Sequence, residues 1–574
     1  MEMTCIMWKL ARYLKPYRKE CILGPLFKLL EAIFELLLPT LMALMVNNGV
    51  GRHDRTYVLH IGLLMAGMAV LGCASAFTCQ FFAARASQGF GTVLRNDLFK
   101  HIASLSMRQL DAFGTETLTN RLTNDVTTLQ TGVAMAIRLL VRSPFICIGA
   151  IVMALILNWQ LALIVICATP VFALLLYVFT KFSTPLYRTY QKGLDHLAVV
   201  VRENLAGVRV IRAFAKVPQE KRRFEDSNDS LTATALRLGR ISALLNPFTT
   251  LVVDAAILLV LWFGGRMVGQ GTLMKGEIIA FVNYITYILI AMVALSNLII
   301  LFTRCAASGR RVAELFEVRP DMEQVAGPAP APDENAPAVE LSHVDFSYGG
   351  GKALEDINLR IGRGQTVGII GGTGSGKSTL VSLIARFYDV TGGEIRLGGV
   401  PIQKLPDEAL RHLVCIAPQK TVLLTGTIAE NIRMGLRDAS DKQMKQAAEI
   451  AQAAEFVEKM PQGYASHIER GGANVSGGQR QRIGVARAVL ADADILILDD
   501  ASSALDYGTD ARMRGALRRA RTGRTTILVS QRAAAIRDAD AILVLDNGRV
   551  AGFGTHETLQ TDCPAYRDIL ATQA

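Results

Sequence analysis

Six long apolar runs dominate the first half of the chain, at roughly 20–47, 57–84, 136–157, 160–182, 242–264 and 277–303. Each is long enough to cross a bilayer as a helix, which takes about 20 residues. Only Asn158, Trp159 and Gln160 separate the third run from the fourth, so these two are expected to form a tight antiparallel hairpin. The links 85–135 and 183–241 are long, charged and rich in helix formers. Residues 309–325 read as a helix leaving the last span, and 327–338 (GPAPAPDENAPA) as a semi-stiff extended linker. From Ala338 the period changes, and short apolar strands alternate with helical segments, the pattern of an α/β domain. The expected organisation is an α-helical six-span transmembrane domain (1–308), a connecting helix and Pro-rich linker (309–337), and an α/β domain (338–574).

Charge orients these spans. The chain of 574 residues carries a formal charge of +11, and a nucleic-acid partner could be read into that number. The location of the charge argues instead for a membrane and for no nucleic acid. Arg188, Arg202, Arg209, Arg212, Lys221, Arg222 and Arg223 crowd the second long link, and Lys9, Arg12, Lys15, Arg18 and Lys19 crowd the N-terminus. The short loops hold few cations, so both termini, the long links and the α/β domain are expected inside, in the cytoplasm. The implied location is the plasma or inner membrane, with several passes. Residues 5–15 suit an interfacial helix anchored by Trp8 and Tyr13, with the first span turning upward at Pro16. The nine cysteines are scattered without ligand spacing, so neither a disulfide framework nor a zinc site is expected.

The chemistry lies in the α/β part. TVGIIGG (366–372) reads as a buried strand that runs into GGTGSGKS (371–378), after which a helix follows. In that strand–loop–helix context Gly371, Gly372, Thr373, Gly374, Ser375 and Gly376 let backbone N–H groups converge on a β-phosphate, and Thr379 lies on the first helical turn. Lys377 would reach the β- and γ-phosphates, and the Ser378 hydroxyl would take one position on Mg²⁺. A second apolar strand, ADILILDD (493–500), ends at Asp499, where a carboxylate can hold Mg²⁺ directly or through water. VSGGQRQR (475–482) opens a further helix, which makes a second anion nest of Ser476, Gly477, Gly478 and Gln479.

This ordered set resembles the nucleotide-binding domain of ABC transporters, and 1–308 resembles the six-helix domain of exporter-fold ABC half-transporters. The resemblance covers essentially the whole chain. It implies ATP and Mg²⁺ as ligands, Tyr348 as the ring that stacks on adenine, and Gln419 as a contact to Mg²⁺ and the attacking water. It also implies that Glu469 meets the coupling segments, and that Asp506 lies across a dimer interface with the Ser476–Gln479 signature. That signature closes on ATP held by a second subunit, so an obligate dimer is implied. The links near 112–126 and 203–224 resemble coupling regions, and a short helix around Gly207–Phe214 is expected to dock on the partner.

Two positions depart from the family. Asp500 stands where the family carries a catalytic glutamate, and Gln531 where it carries a histidine. Asp500 keeps the charge but withdraws it by one methylene, and Gln531 cannot carry imidazolium charge. The pattern resembles the subunit of a heterodimeric exporter that carries the degenerate ATP site. The expected partner is a second half-transporter with glutamate and histidine in place and an altered signature. The expected cargo is a small amphipathic or hydrophobic compound, multidrug- or lipid-like, moved outward. Two other functions fit the same fold: import of metal–siderophore complexes, and a nucleotide-gated regulatory membrane protein. Charged residues within spans mark candidate pathway positions: Glu31 and Glu35, on one face of the first helix with Lys28, and Asp254 in the fifth.

Overall fold

In a computed structural model, residues 10–322 and 335–573 are described throughout, with 325, 327, 328, 330 and 333 of the stretch between. The chain divides into two units: Met1–Ala103 with Glu116–Val318, and Ser104–Thr115 with Arg319–Ala574. The turn segment Ser104–Thr115, which the apolar pattern had grouped with the spans, thus packs with the second unit.

Among the described residues six helices are long and apolar enough to cross a membrane: Arg12–Val50, Arg55–Ser104, Thr115–Leu157, Trp159–Ala206, Val217–Gly269 and Lys275–Glu317. Each contains one apolar run and extends well past it, because the long polar links continue the helices. The fourth helix has 48 residues and the fifth 53, at 1.5 Å per residue far more than hydrocarbon thickness requires. The hairpin between the third and fourth turns at Asn158, whose side chain accepts from Gln160 N at 3.0 Å and Leu161 N at 3.1 Å. Asparagine suits this place because its oxygen satisfies N–H groups that a starting helix leaves open. Pro16 lies in a 3-10 turn, Arg12–Tyr17, just before the first long helix. Of the segment 5–15 only residues 10–15 lie within the described chain, and Trp8 lies outside it. Tyr13 is buried against Phe90 and Phe316, so its ring packs on protein. Helices one and six are pinned by the buried Tyr284, whose hydroxyl donates to Leu36 O at 3.0 Å and meets Thr40 Oγ1 at 2.7 Å.

The second unit contains two main sheets. The larger has the order Arg549–Gly554, Ala541–Asp546, Thr366–Gly371, Thr525–Val529, Ile495–Asp499, Val414–Ala417. It is parallel except at the first strand. Its inner strands are buried on both faces, which explains their unbroken Val/Ile/Leu runs. The smaller antiparallel sheet runs Lys352–Ile361, Val339–Ser347, Gly392–Leu397, Val400–Pro401. A core of Val344, Phe346, Ile357, Ile369, Leu380, Ile384 and Leu543 joins the two sheets. The strands Thr366–Gly371, Ile495–Asp499 and Thr525–Val529 lie side by side in register, so the loops after them open at one edge.

Candidate nucleotide site

That edge holds the glycine loop, Asp499 and Asp500. The strand Thr366–Gly371 passes through the glycine loop into the helix Lys377–Ile384. Gly374 and Gly376 have φ of +83° and +97°, left-handed conformations that a side chain disfavours. Gly371 is needed for a different reason, since a Cβ there would stand 2.2 Å from Leu545 O. Lys377 Nζ donates to Gly371 O at 2.8 Å and Gly372 O at 2.7 Å, which centres the ammonium under the loop. Burial pushes its pKa down, while Asp499 and Asp500 push it back up.

The acidic side is built from the neighbouring strand. Asp499 Oδ1 accepts from Ser378 Oγ at 3.2 Å, and Asp500 Oδ2 accepts from Gln419 Nε2 at 3.3 Å. Burial raises the pKa of both carboxyls above the ordinary range, countered at Asp499 by the Ser378 hydroxyl and at Asp500 by Gln419. Ser378 and Asp499 thus bring hard oxygen donors to one place, and Gln419 is tied to the neighbouring Asp500. That donor set fits Mg²⁺, which takes few protein oxygens beside those of phosphates. Among the described residues no group of three or more His, Cys, Asp or Glu could hold a metal.

Tyr348, at the end of the strand Val339–Ser347, is 49% exposed and donates to Thr379 Oγ1 at 3.3 Å, so its ring flanks the loop helix. Gln531 follows the strand Thr525–Val529, whose last residue pairs with Asp499. Gln531 therefore stands beside Asp500 in the topology. Sequence reading missed what holds it. Gln573 Nε2 donates to Gln531 O at 2.6 Å, and Gln573 Oε1 accepts from Ala533 N at 2.8 Å. No local pattern marks a glutamine 42 residues away as a clamp.

Ser476 caps the helix Gly477–Leu490 with a capping box through Gln479. Gln481 ties this helix to the segment before Asp506, donating to Ser503 Oγ and accepting from Ala504 N, each at 2.9 Å. Asp506 caps the next helix, accepting from Thr509 N at 2.9 Å, and that bond keeps its carboxyl below the usual range. Glu469 is exposed at the start of a short turn.

In the first unit the pathway candidates separate. Glu31 is paired with Lys28 at 2.6 Å and Glu35 with Arg142 at 2.6 Å, so neither carboxylate stands open. Asp254 is exposed on this chain, and no hydrogen bond or ion pair engages it among the described residues. Arg138 is a position the sequence reading passed over. It lies in the wide turn Ala136–Leu140, and its Nε is buried without a hydrogen bond. All eight described cysteines are free.

Comparison with known proteins agrees with this geometry. The ABC transporter transmembrane region matches residues 21–292, and the ABC transporter domain matches 354–503. An uncharacterized ABC transporter ATP-binding protein of Mycobacterium tuberculosis is 35% identical over 98% of both chains. An ATP-dependent lipid A-core flippase of Syntrophus aciditrophicus is 34% identical over 81% of this chain and 77% of its own. Among solved structures, a bacterial Atm1-family ABC exporter with ATP bound aligns with a TM-score of 0.78 at 26% identity, over 97% of this chain and 98% of that one.

Proposed function

This chain belongs to the ABC transporter family, as a half-transporter with the exporter fold, and on that premise we propose that it is one subunit of an ATP-driven exporter, paired with a second, different half-transporter. Asp500 carries the reading. Its N–H donates to Val529 O at 3.0 Å and its φ is +47°, so its backbone is tied to the sheet edge. The carboxylate cannot advance to replace the methylene that a glutamate would add. A misplacement of about 1 Å can cost on the order of a hundredfold in rate. Gln531 is likewise held by its backbone, and its amide offers a hydrogen bond without imidazolium charge. Both departures weaken the same site.

ATP binding itself keeps every contact. Lys377 turns to the β- and γ-phosphates, the loop N–H groups surround the β-phosphate, and Tyr348 takes the adenine. Gln419 and Asp500 flank the position of the attacking water. Ser378, Asp499 and Gln419 would hold Mg²⁺, which would supply positive charge against the phosphate oxygens. The intact Ser476–Gln479 signature serves the ATP of the partner, whose own glutamate completes the working site. This chain therefore retains ATP in its own site and enables turnover in the other. Both termini and the nucleotide-binding domain lie in the cytoplasm.

The cargo is amphipathic. Apolar spans surround it, the charges near Glu31 and Glu35 are matched, and the unmatched Arg138 guanidinium suits an acidic group. A lipid A-core flippase among the relatives is consistent with such a cargo. Asp254 faces the second subunit or a hydrated pathway, since a carboxylate in hydrocarbon is costly.

The test is ATP turnover by this chain purified alone and together with its partner, in lipid. Turnover only with the partner, lost when the partner's matching glutamate becomes glutamine, is the expected result. Brisk hydrolysis by the lone chain would overturn the heterodimer.

A further inference from the structure

Tyr348 is one of three rings in contact. It meets Tyr388 edge-on with centroids 5.3 Å apart and planes at 86°. Phe346 closes the triangle, 4.7 Å from Tyr348 and 5.7 Å from Tyr388. Phe346 belongs to the core and is 1% exposed, which gives the group a fixed base, while Tyr348 keeps an open face. Tyr388 has a further contact: its hydroxyl donates to Asp111 Oδ2 at 2.8 Å. Burial and the Asp111 carboxylate hold its phenol well above the usual range, so the proton stays on the tyrosine.

Asp111 sits on the short helix Met107–Phe113, at the turn between the second and third long helices. The helix is part of the second unit and is fixed there at another point, where Gln109 Nε2 donates to Arg319 O at 2.7 Å. It also borders the loop after Tyr348: a methyl group on Gly349 would lie 3.8 Å from Arg108 Nη2. The adenine platform and the turn helix therefore share one intermediate side chain.

We propose that Tyr388 is a positioning residue through which adenine, stacked on Tyr348, orders the helix Met107–Phe113. The inference rests on the reading of Tyr348 as the adenine platform. Stacking narrows the motion of the Tyr348 ring, and edge-to-face packing is directional, so Tyr388 is held in turn. A hydroxyl donated to a carboxylate is a strong, oriented bond, which passes the restraint to Asp111. None of the three rings belongs to the glycine loop, so base and phosphate contacts can be separated by experiment.

The experiment is amide hydrogen exchange over 107–113 in the full-length protein in lipid, assembled with its partner, without nucleotide, with ATP, and with inorganic triphosphate. ATP is expected to slow exchange by about tenfold and triphosphate by less than about twofold, the size of one charge-assisted hydrogen bond against none. Tyr388→Phe keeps the ring, so ATP affinity is expected to stay within about threefold while the ATP-dependent slowing disappears. Asp111→Asn tests the same bond from the other side and is expected to reduce the slowing as well. Full ATP-dependent slowing in both variants, or equal slowing by triphosphate, would overturn the proposal. Tyr348→Ala distinguishes the two levels. Unchanged ATP affinity in that variant removes the adenine platform itself, whereas weakened affinity with slowing intact in Tyr388→Phe removes only the link.

Discussion

Asp499 and Asp500 end the same strand, yet they answer to different neighbours. Asp499 accepts from Ser378 of the glycine loop, and Asp500 accepts from Gln419. Burial raises both pKa values, so the folded chain takes up protons at these groups at a higher pH than the unfolded chain does. Their contribution to folding is thus least favourable when both are ionised, and it improves as pH falls through the raised values. Nucleotide binding with Mg²⁺ has the opposite dependence, because it needs the carboxylates ionised. Titrating Mg–ATP affinity should show a loss on acidification that begins above the ordinary aspartate pKa of about 3.9. Asp499→Asn should bind weakly throughout and lack that limb. For Asp500, lengthening the side chain is the informative change. Asp500→Glu combined with Gln531→His should raise single-site turnover by on the order of a hundredfold, measured in a dimer whose partner site is disabled. No gain would mean that the two departures are not what slows the site.

At the scale of elements, helix ends and loop glycines set the geometry. The Asn158 cap starts the fourth helix where the third ends. Asn158→Ala should lower stability by about 1 kcal/mol, read as a shift in thermal unfolding of the protein in lipid. The C-terminal end acts on the catalytic edge through Gln573, whose amide grips both sides of Arg532. Gln573→Ala should speed amide exchange at 531–533 by roughly tenfold, the value of one or two hydrogen bonds, with ATP affinity little changed. Exchange at the wild-type rate would show that the strand and the following turn hold Gln531 without it.

For the whole molecule the decisive property is incompleteness. A capped signature helix and an adjacent Asp506 helix are formed on this chain, but a signature of this kind serves ATP held by another subunit. The proposed asymmetry predicts unequal effects of two substitutions in this chain. Ser476→Arg should depress turnover of the heterodimer by about a hundredfold or more, as the loss of a preorganised anion contact does. Lys377→Ala should depress it far less, because it disables the site that contributes little. Comparing kcat of the two assembled variants tests this, and equal losses would point to two equivalent sites.

The sequence alone determined the elements and most of the nucleotide site. Span length, strand period and the glycine loop are local properties, fixed by bilayer thickness, by side-chain alternation and by backbone conformations available to few residue types. The positions from Gly371 to Thr379, and Asp499, were legible because they stand where an apolar strand runs into a loop or helix, whereas Asp500 and Gln531 stood out only through the family resemblance. Tertiary structure decided what those residues touch. It paired Glu35 with Arg142, left Arg138 Nε without a hydrogen bond, and grouped Ser104–Thr115 with the second unit. It also joined Tyr388 to Asp111, 277 residues apart, and Gln573 to Gln531. Such contacts leave no trace in spacing or composition, because hydrogen bonds and ion pairs depend on separation in space, which only the packing of distant elements sets.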